Sequence, residues 1–282
     1  MIADKDTNFV YFSDLLRTKH EYSSTCSKIT EILDKHNVGY DFLKGTKDIW
    51  ARDYMPIQID SLKFIQFRYE PSYLDALVNI RSDPKVVCNL NTINPTFSEI
   101  NMDGGNIVKW TDKLLITDRI FAENKNYKNT NQLVKEIESL LETEVIIIPQ
   151  IKSDFTGHAD GLVKIIDSET LLGNDLDSEY KYWSKGMNKI ISEKKFKYHN
   201  MPMFEFKEKG YPDSAIGCYM NYLEVGNLIV FPIFEVDGNK DIEAIDLITM
   251  LYPKHKIEPI NINPIARNGG LMNCISWNIK KI

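Results

Sequence analysis

Along this chain one order of elements keeps returning: a strand, a tight turn, a second strand, a helix, a third strand. One unit runs from Asp53 through "KFIQFRY" to "KVVCNL", the next from Asp103 through "KLLITD" and a helix to "EVIIIP". A third runs from Asp160 through "TLLG" and a helix to "KFKYHN", a fourth from "CYMNYLEV" through "NLIVFPIF" and a helix to "KIEPINI". The fifth begins at Cys274 and stops at residue 282, and its missing parts stand at the other terminus as "NFVYFS", a helix near Tyr22–His36, and "VGYDFL". The unit starts Asp53, Asp103, Asp160, Asn221 and Cys274 are 50, 57, 61 and 53 residues apart. A period of this size marks a repeated supersecondary unit, and a last unit shared between the termini suggests a closed ring. Element order alone does not separate such a ring from a generic α/β fold with similar-looking segments.

The helices read from 3.6-residue periodicity. They lie near Tyr22–His36, Asn131–Glu142, Glu179–Lys194 and Asp241–Leu251. "NQLVKEIESLLE", for example, sets Leu133, Val134, Ile137, Leu140 and Leu141 on one stripe with charges opposite. No Gly/Ser-rich or Pro-rich linker divides the chain.

Composition removes several function classes. The formal net charge is −6 with no basic run, which argues against nucleic acid as a partner. No apolar run approaches the roughly 18 residues of a membrane span, and "MIADKDTNFVYFS" has neither the basic nor the apolar part of a signal peptide. Cys26, Cys88, Cys218 and Cys274 are far apart and form no C-x-x-C pair. Reduced thiols in a cytoplasmic protein, with no metal and no cofactor, are the expectation. Oligomeric state is not legible.

Four short segments carry candidate chemistry: "DIWARDYMP" with Trp50, Arg52 and Asp53; "NMDGGNIV" with Asp103, Gly104 and Gly105; "TGHADGLVKI" with His158 and Asp160; and "NGGLMNCISW" with Gly269, Gly270 and Cys274. Taken singly each has a plain structural reading. Arg-Asp neighbours are commonly surface charge, Asp-Gly-Gly is commonly a turn, and a cysteine on a terminal strand is commonly a small buried hydrophobe.

Together, and in this order, they resemble the agmatine deiminase family of guanidino-group-modifying enzymes. That family carries W-x-R-D-x-G-P, E-G-G-N, G-H-x-D and G-G-G-N-I-H-C segments. "YMN", ending at Asn221, resembles its Y-x-N element. The resemblance covers the chain from Trp50 onward. It implies the pentein fold, a five-bladed α/β propeller of ββαβ units with pseudo-fivefold symmetry. Residues 1–282 would form one catalytic domain, its last blade shared between the termini.

By the same resemblance a guanidino group becomes a ureido group plus ammonia through a covalent Cys274 intermediate. A guanidinium is planar and always charged at neutral pH, so holding it takes carboxylates in its plane; Asp53 and Asp160 are implied for this. Its carbon is a poor electrophile, which calls for a thiolate. His158 would protonate the departing ammonia and then activate water. Asp103, in place of the family's glutamate, would support the histidine and the guanidinium. Trp50, Asn221, Gly105 and Gly270 complete the expected pocket, the glycines giving room for close backbone approach.

Some positions depart from the pattern. Asp103 is one methylene shorter than glutamate. Asn273 stands where the family has histidine, and Lys164 stands near a family arginine. Which guanidine is bound stays open between agmatine, arginine and peptidyl-arginine. Arginine would need a cation for its carboxylate, for which Arg68 is a candidate. Glu70 and Trp110 are candidates for meeting an amino group or an aliphatic stem. Amidino transfer to an amine, or guanidine binding without turnover, are the alternatives. A thiol protease would leave Asp53 and Asp160 without a task, and a metal enzyme would leave the cysteine and glycine pairs unexplained.

Overall fold

The computed structural model describes residues 1–282. Its strands form five three-stranded sheets with the same wiring. In blade 1, Ile57–Gln58 pairs antiparallel with Phe64–Arg68, and Thr96–Asn101 returns parallel to it. Blade 2 is Val108–Lys109, Lys113–Thr117 and Glu144–Ile148. Blade 3 is Val163–Ile165, Thr170–Asn174 and Lys197–Met201. Leu223–Val225, Leu228–Ile233 and Lys256–Asn261 make blade 4. Blade 5 joins the termini, with Ser276–Ile279 antiparallel to Phe9–Ser13 and Gly39–Leu43 parallel to it. The five-bladed ββαβ ring implied by the element order and the resemblance is therefore the observed fold.

Each return to a parallel strand needs a crossover, and helices supply it. His20–Lys35 buries Tyr22, Cys26, Ile29 and Leu33 at helical spacing. Thr130–Leu141 buries Leu133, Ile137 and Leu141, Lys181–Lys194 buries Trp183 and Met187, and Asp241–Leu251 buries Ala244 and Ile248. No helix is long and apolar enough to cross a membrane.

Hydrogen bonds between successive blade entrances close the circle. Gly105 N–H donates to Asp53 Oδ1 (3.1 Å) and Asp160 N–H to Gly105 O (3.1 Å). The Cys218 thiol donates to Gly161 O (3.6 Å), Asn273 N–H to Asn221 O (3.2 Å) and Arg52 N–H to Cys274 O (3.0 Å).

Two strand expectations are corrected. "KVVCNL" lies in a helix, Pro84–Leu90, and the third strand of blade 1 is Thr96–Asn101. The helix starts where Asp83 accepts from Lys85 N–H and Pro84 fills the first turn, a start signal that outweighs the β-branched pair Val86–Val87. Only Ile100 and Asn101 of Thr96–Asn101 are buried, so the strand lacks an apolar pattern. In "CYMNYLEV" only Leu223–Val225 is strand, and Cys218–Tyr222 is the entrance leading to it.

The first strands of the blades carry buried polar residues on their inner side: Gln58, Lys109, Lys164, Glu224 and Asn278. A short 3₁₀ turn, Asp4–Asp6, inserts among them. Asp4 pairs with Lys109 (3.1 Å) and Lys164 (3.2 Å) and accepts from Asn278 Nδ2 (3.1 Å). Burial alone would raise the Asp4 carboxyl, but Lys109, Lys164 and Arg52 outweigh it and hold it far below the ordinary carboxylate range.

Candidate active site

The candidate side chains all stand at blade entrances. Asp53 is on the one-turn helix Ala51–Tyr54, and Asp103 immediately precedes the turn Gly104–Asn106. His158 and Asp160 lie just before Val163–Ile165, Asn221 two residues before Leu223–Val225, and Cys274 two before Ser276–Ile279. The fold brings Trp50, Asp53, His158, Asp160, Asn221, Gly270 and Cys274 onto one cavity of about 410 Å³.

Asp103 stands one step back. Its Oδ2 meets His158 Nε2 at 2.8 Å and accepts from the Tyr73 hydroxyl at 2.8 Å. The expected contact with the histidine is present despite the shorter side chain, but Asp103 is not on the cavity wall, because His158 lies in front of it. The other ring nitrogen, Nδ1, is 3.7 Å from Asp53 Oδ1. Gly105 makes this possible: a Cβ there would lie 2.6 Å from Asp53 Oδ1 and against the imidazole. At Gly270 a Cβ would overlap the Trp50 ring.

Asn221 holds the cysteine loop. Its Oδ1 accepts from Cys274 N–H (3.1 Å), and its backbone oxygen accepts from Asn273 N–H (3.2 Å).

Electrostatics follow from burying several carboxylates together. Burial disfavours charge on His158, but Asp53 and the Asp103 hydrogen bond outweigh it and lift the imidazole to about 10. It is an imidazolium at neutral pH. Asp53 is raised, first by burial and then by Asp103 and Asp160, with His158 opposing. The Cys274 thiol is also raised, by burial first and then by Asp160 and Asp53. An empty site thus holds a neutral thiol, and a bound cation between the aspartates would favour the thiolate.

Four expectations fail on placement. Gly105, expected in the pocket, is not on the cavity wall and packs against Asp53 and His158 instead. Arg68 is 40% exposed, pairs with Glu70 (3.3 Å) and lines a separate groove with Arg81, away from Cys274. It lies on the outward-facing end of Phe64–Arg68, so it cannot meet a substrate carboxylate in the cavity. Glu70 lies in that same groove, and Trp110 is buried under Lys5, whose Nζ sits 3.9 Å from its ring. Lys164 points to the ring interior.

Other residues carried no motif signal. Tyr73 is reached only through the fold. Phe155, Asp154 and Asp213 form the rim, on loops with no regular pattern. Four aspartates line the cavity (Asp53, Asp154, Asp160 and Asp213) and no lysine or arginine does. Arg119, behind Tyr73, is committed to Glu123 (3.0 Å) and Phe155 O (2.9 Å).

The ring is similar to solved agmatine deiminases. The C. jejuni enzyme in a cysteine-to-serine form with substrate bound aligns with a TM-score of 0.80 at 18% identity, covering 100% of this chain and 96% of that one. The Enterococcus faecalis agmatine deiminase aligns at 0.79 and 13% identity, again over 100% and 96%. At these identities the likeness is one of fold. In sequence, a Photobacterium profundum protein provisionally assigned as an agmatine deiminase is 24% identical over 215 residues, 65% of this chain. The match spans 56% of that relative's length. The model of the Porphyromonas-type peptidyl-arginine deiminases matches residues 16–279. Nearly the whole ring, from the first helix of blade 5 to its closing strand, falls within that match, and the chain belongs to this family.

Proposed function

We propose that this chain hydrolyses the guanidino group of a small cationic guanidine of the agmatine type, giving a ureido product and ammonia. The observation that carries the reading is the cavity itself: a thiol, an imidazolium and two inward carboxylates meet in a wall that has four aspartates and no lysine or arginine. A free α-carboxylate would enter against like charge with no partner, a cost of several kcal/mol. A second amino group would find Asp154 or Asp213 at the rim.

The steps balance without a further reagent. Asp53 and Asp160 hold the guanidinium, whose charge favours the Cys274 thiolate, the thiol proton leaving to solvent as the cation enters. Sulfur attacks the central carbon and forms a C–S bond. The C–N bond to the leaving nitrogen then breaks as His158 gives it a proton, releasing ammonia and leaving a thiouronium on Cys274. The neutral imidazole takes one proton from water as the resulting hydroxide adds to the same carbon; the C–S bond then breaks, the hydroxyl proton leaves to solvent, where ammonia takes it up as ammonium, and the ureido product and the thiolate remain. Asp103 reaches the substrate only through His158.

The test is turnover of agmatine, arginine, C-terminal arginine peptides and methylated arginines, followed by ammonia and ureido product. Agmatine is expected to exceed arginine by about 100-fold in kcat/KM, the scale of one unpaired buried charge. Arginine as the better substrate overturns the specificity. No product from any guanidine overturns the reaction, and product only with an added amine would make it a transfer.

A further inference from the structure

The hydrolytic steps give no task to Arg52 and Asn273, both buried beside the nucleophile. The Arg52 guanidinium lies between two asparagines. Its Nη2 donates to Asn273 Oδ1 (3.0 Å) and to Asn278 Oδ1 (2.7 Å), and its Nε donates to Asn273 O (3.3 Å). A guanidinium has donors and no acceptor. Both amides must therefore turn their oxygens toward it, which fixes where their NH₂ groups point.

Those NH₂ groups face carboxylates on opposite sides. Asn273 Nδ2 donates to Asp160 Oδ2 at 2.7 Å. Asn278 Nδ2 donates to Asp4 Oδ1 (3.1 Å), Thr7 Oγ1 (3.1 Å) and Glu224 O (2.8 Å). One arginine so sets the direction of a hydrogen-bonded chain from Asp4 in the ring interior to Asp160 in the cavity.

We propose that Asn273, its amide turned by Arg52, is a positioning residue for Asp160. It ties up Oδ2, fixes the plane of the carboxylate and leaves Oδ1 for the guanidinium. This is the position where the chain departs from the family's histidine. Here the asparagine supplies an N–H to Asp160 and an oxygen to Arg52 from one side chain. The kinetic consequences rest on the hydrolytic reading of the site, whereas the geometric one does not.

Three substitutions separate positioning from bulk stability. Asn273→Asp keeps the shape and the acceptor for Arg52 but removes the donor and sets a second carboxylate against Asp160. It is expected to fold with an unfolding midpoint within about 4 °C of the native protein. Its kcat/KM at neutral pH falls about 100-fold, and the acidic limb of its pH profile moves up by about one unit, because adjoining carboxylates favour a shared proton. Asn273→Ala raises KM about 10-fold, the scale of one hydrogen bond to a charged group, with a smaller change in kcat. Asn273→His returns an N–H near the same point and brings KM back toward the native value. Native KM and an unshifted pH profile in the Asp and Ala variants overturn the proposal. If the native protein turns over no guanidine, the function reading fails, and a crystal structure of Asn273→Ala decides the positioning role. An Asp160 carboxylate rotated from its native setting supports that role, and an unmoved one overturns it.

Discussion

Two layers of side chains stand on the same five blade starts, a few residues apart, and they meet opposite charge problems. At the mouth are Asp53, Asp103 and Asp160, with His158 as their one cationic partner. In the interior are Arg52, Lys109 and Lys164, answered by Asp4 and, through the Asn278 amide, by the backbone of Glu224. The interior layer meets its cations with groups of the chain, the Asp4 carboxylate for the two lysines and amide oxygens for Arg52. The mouth leaves negative charge over, which is the arrangement expected where a cation is to be supplied from outside. The same repeat can thus carry a structural ion cluster and a ligand site, depending on whether the chain brings its own counter-ion.

The most severe way to break the mouth is Cys274→Ala. Turnover is expected to fall by at least about 10⁴-fold, while calorimetry still detects guanidine binding, since the carboxylates remain. Loss of binding along with turnover would mean that the acidic layer does not hold the cation by itself. The matching test of the interior is Asp4→Asn, which leaves Lys109 and Lys164 without their carboxylate. Breaking such a cluster costs about 3 kcal/mol, read as a fall of about 6–12 °C in the unfolding midpoint. Its kcat/KM should change less than about 10-fold, because Arg52 still holds Asn273. Equal losses of stability and activity would erase the distinction between the layers.

A smaller effect sharpens the comparison through pH. His158 is raised on folding, so its stabilising contribution is full below about 6.5, its ordinary value, and is lost as pH climbs through about 10. The native unfolding midpoint should drop further between pH 6 and pH 10 than that of His158→Gln, as the charge on the imidazole is lost. Parallel curves would place the histidine's counter-charges elsewhere.

Much of the ring was legible because strand order and helix periodicity survive sequence drift. Asp241–Leu251 was read to the residue. The helix Pro84–Leu90 was passed over because the recurring element order placed a third strand at "KVVCNL", without regard to the Asp-Pro start. At the site, residues inside the four ordered motifs could be found through their resemblance to the family, and Gly105 and Gly270 show where close approach leaves no room for a side chain. Tyr73 and the rim aspartates could not, since their positions depend on how blade connections fold back over the mouth. Arg68 was a reasonable candidate by charge alone and was excluded by the direction its strand faces. Asn273 registered only as a departure; its hydrogen bonds to Arg52 and Asp160 became visible once three distant segments stood together.

The stitching of blade 5 from both termini also bears on how the chain acquires its chemistry in time. Phe9 pairs with Ile279, and Asn8 bonds to Lys281 across 273 residues. Contacts that distant form slowly, because a long loop must close before they repay its entropy. Cys274 lies in the turn just before the closing strand Ser276–Ile279, so it joins His158 and Asp160 only when the circle is shut. A partly folded chain carries an ordinary thiol, and closing the circle buries that thiol beside Asp160 and Asp53.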